Sequence, residues 1–407
     1  MIPTLKKALA KPSGISRVGL QIVSSVLLDA AGSARLIVAD PYARRLLCFL
    51  PDDRSSEFGL LQELSRIARS LQRSLLSQAW AWARGQLASL GQPSWQLPAE
   101  FSTTGGRGVF LLHGMNIKRG FLETVKRARR QHAMKVVLFL HDLLPLTQPP
   151  HYTDGRAEEF RTFLAGLIDS CDLVITSSRY TAAAFPEVVA RIANRPLPPV
   201  AVVPLAHEYR PWQPGSTRPA LPDLANHDFV LCVGSIQDRK NQLGLLRAWQ
   251  QYRVGTRRPA AAHLVLAGPL GRSSDNVIAF LEQTGHVDGT VHLLTQPTDP
   301  ELTWLYRHCR FTAYVSLAEG WGLPIGESLW EGKTCMASRT TAMPEVGGNR
   351  VVYVDPQSID DMALKLHGLL DQEGTVDRLE QQISRSQLRT WRDFRSDLAA
   401  AIRSHST

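Results

Sequence analysis

Two carboxylates eight positions apart, Glu319 and Glu327, bracket a glycine-containing turn in the run Tyr314-Val-Ser-Leu-Ala-Glu-Gly-Trp-Gly-Leu-Pro-Ile-Gly-Glu327. The apolar stretch Phe311–Val315 predicts a strand. Glu319, Gly320 and Gly322 then fall in the loop that leaves it, and a helix is expected to start near Pro324 with Glu327 in its first turn. Glycines let backbone approach a ligand closely, and a helix N-terminus attracts anions. Carboxylates in such a place are poor partners for phosphate but good acceptors for hydroxyl protons. The pattern therefore suits a ligand that carries both phosphates and hydroxyls, such as a sugar nucleotide. The plainer alternative is two glutamates favoured at a helix start by the macrodipole.

A sugar nucleotide must have its diphosphate neutralised as the glycosidic bond breaks. Either a metal held by Asp-x-Asp or a set of fixed cations can do this. The chain has no Asp-x-Asp. Arg239 and Lys240 supply the second solution, in the loop between the apolar run Phe229–Val233 and a helix expected from Asn241. Cations and backbone amides already in place around a leaving diphosphate are a common electrostatic device. No metal site is expected, because the twelve histidines are dispersed and form neither His-x-x-x-His nor His-Glu-x-x-His. In the first half, Lys135-Val-Val-Leu-Phe-Leu-His-Asp-Leu-Leu-Pro145 reads as a buried strand running into a polar loop. His141 and Asp142 fall at its carboxyl end, where ligands bind in open α/β sheets. His113, after Val109–Leu112, is a weaker candidate of the same kind.

The elements that would hold these groups alternate along the whole chain. Strands are predicted at Ala34–Val38, Leu46–Leu50, Val109–Leu112, Lys135–Leu140, Leu173–Thr176 and Val200–Val203. Helices are predicted over Ser16–Ala30, Glu57–Ala83, Gly120–Gln131, Glu158–Cys171 and Ser178–Ala190. The second half repeats the alternation, with strands at Phe229–Val233, His263–Ala267, Val291–Leu294, Phe311–Val315, Thr334–Ala337 and Val351–Val354. Helices there include Asn241–Arg253 and Glu301–His308. Alternation of this kind predicts parallel α/β sheets. Four prolines between His207 and Pro222 mark a connecting segment without regular structure. The expected organisation is an N-terminal domain over 1–206, a linker over 207–228, a nucleotide-binding domain over 229–385, and a final helix over 386–407 that returns to the first domain. The fold class is α/β, with two doubly wound, Rossmann-like domains and a ligand cleft between them.

These residues resemble the retaining glycosyltransferases of family 4, which have the GT-B fold. The family's Glu-x7-Glu context is matched by Ser316, Glu319, Gly320, Gly322, Leu323, Pro324 and Glu327, with Trp321 in the aromatic position. Thr341-Ala-Met-Pro-Glu-Val-Gly347, Val352-Tyr-Val-Asp-Pro356 and Val233-Gly-Ser-Ile-Gln-Asp-Arg-Lys-Asn241 are similar to further segments of the family, in the right order. The resemblance implies that Glu319 holds donor-sugar hydroxyls beside the reacting carbon and that Glu327 binds the ribose. It also implies that Arg239 and Lys240 contact the diphosphate, and that the backbone at Gly320 and Leu323 approaches the donor. His-Asp-Leu-x-Pro, beginning at His141, is similar to a segment whose histidine approaches the donor sugar. Ser13-Gly-Ile-Ser-Arg17 resembles the family's first glycine loop, which makes Gly14 and Arg17 candidate ligand-loop residues. Two departures stand out. Ser235 occupies a position where a further arginine sometimes sits, and the first strand before Gly14 is short or displaced.

Composition narrows the setting. Five scattered cysteines form no Cys-x-x-Cys, which points to a reducing compartment and buried thiols. No stretch approaches a membrane span. Residues 1–205 carry 25 Lys and Arg against 15 Asp and Glu, whereas 206–407 carry 21 against 22. The densest basic run, Lys126 to Lys135, has no accompanying nucleic-acid motif, so an anionic membrane surface is the favoured partner. With the resemblance, the expected activity is retaining, metal-independent transfer of a hexose from a nucleotide-sugar donor, GDP-mannose favoured. The acceptor would be a lipid-linked glycan in surface-polysaccharide synthesis, and the location cytoplasmic, peripheral on the inner face of the membrane. The alternatives are another donor (dTDP-rhamnose or a UDP-sugar) with a soluble acceptor, or a non-catalytic protein that binds sugar nucleotides.

Overall fold

The computed structural model describes residues 36–40, 45–49, 109–113, 121–132, 134–192, 196–209, 215–220, 227–256 and 262–405, with Val18, Ile22 and Leu224 as isolated further positions. Gly14 and Arg17, and the helix expected over Glu57–Ala83, lie outside the described residues.

Two all-parallel sheets form the frame. The first contains β3 (Val109–His113), β4 (Lys135–Leu140), β5 (Leu173–Thr176) and β6 (Val200–Val202), side by side in that order. The second has six strands in the order β12-β11-β10-β7-β8-β9, where β7 is Asp228–Val233, β8 Ala262–Ala267, β9 Val291–Leu294, β10 Phe311–Tyr314, β11 Cys335–Ser338 and β12 Val352–Val354. The expected fold class is therefore found, and most strand limits fall within a residue or two of those read from the sequence.

One expectation is corrected. The runs near residues 34–50 do not join the parallel sheet. β1 (Leu36–Asp40) and β2 (Arg45–Phe49) pair antiparallel with each other, Leu36 opposite Phe49 and Asp40 opposite Arg45. The connection from Asp40 to Arg45 is four residues long. That suffices for a hairpin but is far too short for a parallel crossover.

Strand order explains how distant residues meet. From β7 the chain winds outward through β8 to β9, then returns so that β10 lies against the other edge of β7 and β11 and β12 continue outward. The winding direction reverses between β7 and β10, and a crevice opens at such a switch point beyond the carboxyl ends of the strands. Arg239 and Lys240 follow β7, and Glu319 follows β10. The sheet order alone brings these loops side by side.

The strands alternate their faces, so each sheet packs helices on both sides. Val230 and Cys232 of β7 join Trp249 and Tyr252 in one apolar cluster, while Phe229 and Leu231 join Leu305 and Tyr306 in another. A third cluster is shared by the two halves. It combines Val137, Phe139, Leu173 and Ile175 of the first sheet with Tyr314, Ile325, Cys335 and Ala337 of the second.

The final helix, Trp391–Ser404, seals this shared cluster with Trp391, Phe394 and Leu398. The Phe394 ring lies 6.0 Å from that of Phe139. The helix expected over 386–407 starts later, at Trp391. A helix ends at Gln381, a short turn covers Arg385–Gln387, and Thr390 then opens a new helix through a capping box with Asp393.

The proline-rich connection has no helix or strand over residues 207–209 and 215–220, yet it is packed. His207 and Tyr209 are buried, and the His207 N–H donates to the Arg389 carbonyl at 2.9 Å. Among the described residues, no helix is long and apolar enough to cross a membrane. Cys171, Cys232, Cys309 and Cys335 are free and buried. Within the basic run, Arg129 is ion-paired though still partly exposed: its guanidinium donates to Asp172 at 2.6 Å, while Asp172 also accepts the Val136 N–H at 2.8 Å.

Candidate active site

After β7 the chain makes a 3-10 turn over Asp238–Lys240 and passes through Asn241 in the left-handed region, φ 59°, into the helix Gln242–Gly255. The Asn241 amide donates to the Val315 carbonyl at 3.2 Å and the Pro356 carbonyl at 2.7 Å, tying this turn to the ends of β10 and β12. The Leu317 N–H donates to the Arg239 carbonyl at 2.8 Å, and the Arg239 guanidinium donates back to the Ala318 carbonyl. The two loops at the switch point are thus one hydrogen-bonded unit.

At its centre is the Glu319 carboxylate. Its Oε1 accepts from Lys240 Nζ at 2.6 Å, Arg239 Nη1 at 2.8 Å and the Tyr314 hydroxyl at 2.9 Å. All four residues are largely buried, and Glu319 is only 8% exposed. Burial alone would raise the Glu319 pKa, but Lys240 and Arg239 outweigh it and hold the carboxyl at about 2. Burial lowers the Lys240 ammonium, with Glu319 opposing the effect. Burial likewise works to lower Arg239, but Glu319 and the neighbouring tyrosines carry it above its ordinary value. The backbone around the carboxylate is held under strain. Thr341, a β-branched residue, sits at φ 54°, and its hydroxyl accepts the Glu319 N–H at 2.9 Å.

Glu327 lies in the helix Leu323–Trp330, whose N-cap is Gly322 in the left-handed region, φ 113°. The helix begins one residue earlier than Pro324. Glu327 is its fifth residue, in the second turn rather than the first, so its carboxylate is set back from the free amides at the N-terminus. It is 7% exposed and accepts the Tyr306 hydroxyl at 2.7 Å. Leu323 forms the start of that helix and packs, half-buried, against the shared cluster.

The first half contributes the opposite wall. The carboxyl end of β4 meets Gly320 so closely that a Cβ there would stand 2.5 Å from the His141 carbonyl oxygen and 2.6 Å from Asp142 Cβ. The Ser177 hydroxyl lies 3.2 Å from both the His141 and the Gly320 carbonyl oxygens, one proton shared by two acceptors across the halves. A second bridge is made by Glu345, whose two oxygens accept the Arg179 and Tyr180 N–H groups at 2.8 Å each. A second-half carboxylate thus caps the first-half helix Arg179–Ala190, in addition to Ser178, which caps it through Thr181.

The His141 and His113 rings are joined by a 2.8 Å hydrogen bond between His113 Nδ1 and His141 Nε2. Burial lowers His113 to about 4; burial and then the His113 charge lower His141 to about 3. Both rings are neutral near pH 7, and one donates to the other. Asp142 turns its Oδ1 to the Leu144 N–H at 3.0 Å, and burial raises its pKa.

The structure therefore gathers Arg239, Lys240, Glu319 and Gly320 into one unit, with Asp142 and the His113–His141 pair across from it. Tyr314, Tyr306, Ser177 and Thr341 were missed as site residues in the sequence. The two tyrosines were concealed by lying in apolar runs that read as core. Among the described residues, no group of three His, Cys, Asp or Glu is arranged to hold a metal ion.

These shifts predict an acid-sensitive fold. Depressed histidines bind fewer protons folded than unfolded between their folded values and the ordinary 6.5, so stability falls as pH drops from about 6.5 toward 4. Glu319 adds a second loss as pH falls from 4.5 toward about 2. Chemical denaturation across this range is expected to show a decline that starts above pH 5 in wild type and is blunted by His141→Phe. A flat stability down to pH 4.5 would contradict the buried neutral pair.

Two parallel-sheet domains with a cationic, carboxylate-lined crevice at a switch point define the GT-B class of fold. Residues 218–386 match the family model "Glycosyl transferases group 1", so this part of the chain is a group 1 glycosyltransferase domain. Among curated relatives, O-antigen chain mannosyltransferase B of Escherichia coli is 31% identical over 230 residues, 56% of this chain and 58% of that protein. The serotype-specific mannosyltransferase WbdA of Escherichia coli is 26% identical over 250 residues, 59% of this chain and 29% of that protein. The matched stretch thus spans little more than half of the first relative and under a third of the second. Among solved structures, sucrose-phosphate synthase from Thermosynechococcus elongatus aligns over 96% of this chain and 93% of its own, with TM-score 0.57 and 15% identity. Anabaena Alr3699/HepE, in complex with UDP and glucose, aligns over 75% of this chain and 80% of its own, with TM-score 0.56 and 17% identity. At these identities the structural likeness establishes the fold.

Proposed function

We propose that this protein is a retaining glycosyltransferase that moves a hexose from a nucleotide sugar, GDP-mannose favoured, to a lipid-linked glycan of a surface polysaccharide. The observation that carries the reading is the convergence of Arg239, Lys240 and Glu319 at the switch point between β7 and β10. Two buried cations that share one carboxylate oxygen are ready to exchange that partner for a diphosphate, and the freed carboxylate then faces the sugar hydroxyls. Preorganised cations stabilise the charge that builds on the leaving phosphate, with no metal required. The bond from the anomeric carbon to the phosphate oxygen breaks. The acceptor oxygen bonds to the same carbon on the same face, and its proton passes to the departing phosphate. His141 is neutral, so it presents a hydrogen bond rather than a charge to the sugar. The choice of mannose follows the Escherichia coli relatives, both mannosyltransferases. The net charge of +10 on residues 1–205 supports an acceptor presented on an anionic membrane.

One experiment tests the reading. Purified protein is incubated with GDP-mannose, dTDP-rhamnose and UDP-sugars, with and without excess EDTA, and release of nucleoside diphosphate is followed. GDP release that survives EDTA is the expected result. Release from a different donor would move the donor assignment, and loss on chelation restored by magnesium or manganese would overturn metal independence. Failure to bind or cleave any sugar nucleotide would overturn the transferase itself. In the same preparation, co-sedimentation with anionic vesicles at low salt is expected, and its absence would favour a soluble acceptor.

A further inference from the structure

Each glutamate of the Glu-x7-Glu pair carries a tyrosine hydroxyl on one carboxylate oxygen; Tyr314 lies five residues before Glu319 on the preceding strand, and Tyr306 lies 21 residues before Glu327 on a separate helix. Tyr314 is the last residue of β10 and is 3% exposed. Its hydroxyl donates to Glu319 Oε1 at 2.9 Å and accepts from Lys240 Nζ at 2.5 Å, while the ammonium lies 4.9 Å from its ring centroid. Tyr306 is fully buried in the helix Asp299–His308 and donates to Glu327 Oε2 at 2.7 Å. We propose that Tyr314 and Tyr306 are positioning residues that orient the Glu319 and Glu327 carboxylates, the first for turnover and the second for donor binding.

The inference rests on the transferase reading above and deepens it. The other two donors to Glu319 are cations, and an incoming diphosphate draws on both. Tyr314 is the neutral donor that remains, on a rigid strand at the centre of the second sheet. A carboxylate has about four acceptor sites, so a tyrosine on one oxygen leaves room for sugar hydroxyls on the other. Tyr306 fixes Glu327 in the same way from a neighbouring helix, at the end of the site where the ribose is assigned. Site groups must be held within about 0.5 Å of productive geometry, and a rigid element does this better than the loop carrying Glu319.

Tyr314→Phe and Tyr306→Phe each remove one oxygen atom and keep the ring, so packing is retained; thermal melts verify folding. Tyr314→Phe is expected to lower kcat about 10- to 100-fold, with donor KM within about threefold. Tyr306→Phe is expected to raise the donor Kd about tenfold, with kcat within about threefold. Wild-type constants in both variants, or the same change in both, would overturn the proposal. If wild type binds and cleaves no sugar nucleotide, the transferase reading fails instead. The positioning claim is then read in crystals of Tyr314→Phe, where a turned Glu319 carboxylate supports it and the wild-type rotamer overturns it.

Discussion

Glu319→Ala is expected to destabilise the ligand-free protein by about 3–5 kcal/mol, because it leaves two buried cations without their counter-ion. Lys240 and Arg239 are 14% and 15% exposed at their side chains, and both reach Glu319 Oε1 within 2.8 Å. Removing one partner of a buried group exposes the cost of desolvating the others, a cost that the intact cluster conceals. The same argument predicts what restores the variant. A diphosphate brings negative charge to the vacated position, so inorganic pyrophosphate or a nucleoside diphosphate should raise the melting temperature of Glu319→Ala more than that of wild type. Turnover should fall by about two orders of magnitude, since a charge-assisted hydrogen bond to the reacting sugar is gone. Differential scanning fluorimetry with and without pyrophosphate measures the first effect and sugar-nucleotide cleavage the second. Equal melting temperatures and equal responses to pyrophosphate would mean that the three groups do not form a charge-balanced anion site.

That cluster shows where the sequence is legible and where it is silent. The strand–loop–helix carrying Glu319 and Glu327 is visible from apolar runs, glycines and a proline. The company Glu319 keeps is not. Lys240 lies 79 positions earlier, and only the order of strands in the second sheet places the ends of β7 and β10 together. No local pattern encodes strand order, so the pairing reached the sequence reading only through family resemblance. The hairpin of β1 and β2 failed for a related reason, because short apolar runs look alike whether they pair in parallel or antiparallel. The ion pair of Arg129 was hidden because its partner, Asp172, is remote in sequence. The break before Trp391 was legible in principle. Thr390 and Asp393 have the spacing of a capping box, a stronger boundary signal than the periodicity around it. Glu327 was misplaced by one residue, from the first turn into the second, because Gly322, free to adopt positive φ, starts the helix before Pro324.

The contact between halves carries the second large effect. Gly320→Ala is expected to lower kcat by about 100-fold while leaving nucleoside diphosphate affinity within a few-fold of wild type. The added Cβ would stand 2.5 Å from the His141 carbonyl oxygen and 2.6 Å from Asp142 Cβ, well inside the 3.5–4.0 Å of an ordinary carbon contact. Neither obstacle can rotate away. The carbonyl is backbone directly after β4, whose residues Val136–Leu140 are buried, and Cβ is fixed to the chain. The halves must therefore separate by about 1 Å, and the Ser177 hydroxyl loses its shared hold on the His141 and Gly320 carbonyls. A misplacement of about that size can cost about 100-fold in rate. Binding of the nucleotide should be spared, because Arg239, Lys240 and Glu327 all belong to the second half and keep their mutual geometry. Lys240→Ala is the counterpart, expected to weaken nucleoside diphosphate binding directly. Isothermal titration with a nucleoside diphosphate and steady-state turnover on the two variants separate the cases. Wild-type turnover in Gly320→Ala would show that the close approach of Gly320 to His141 is a packing detail and that the wall carrying His141 does not take part in the reaction.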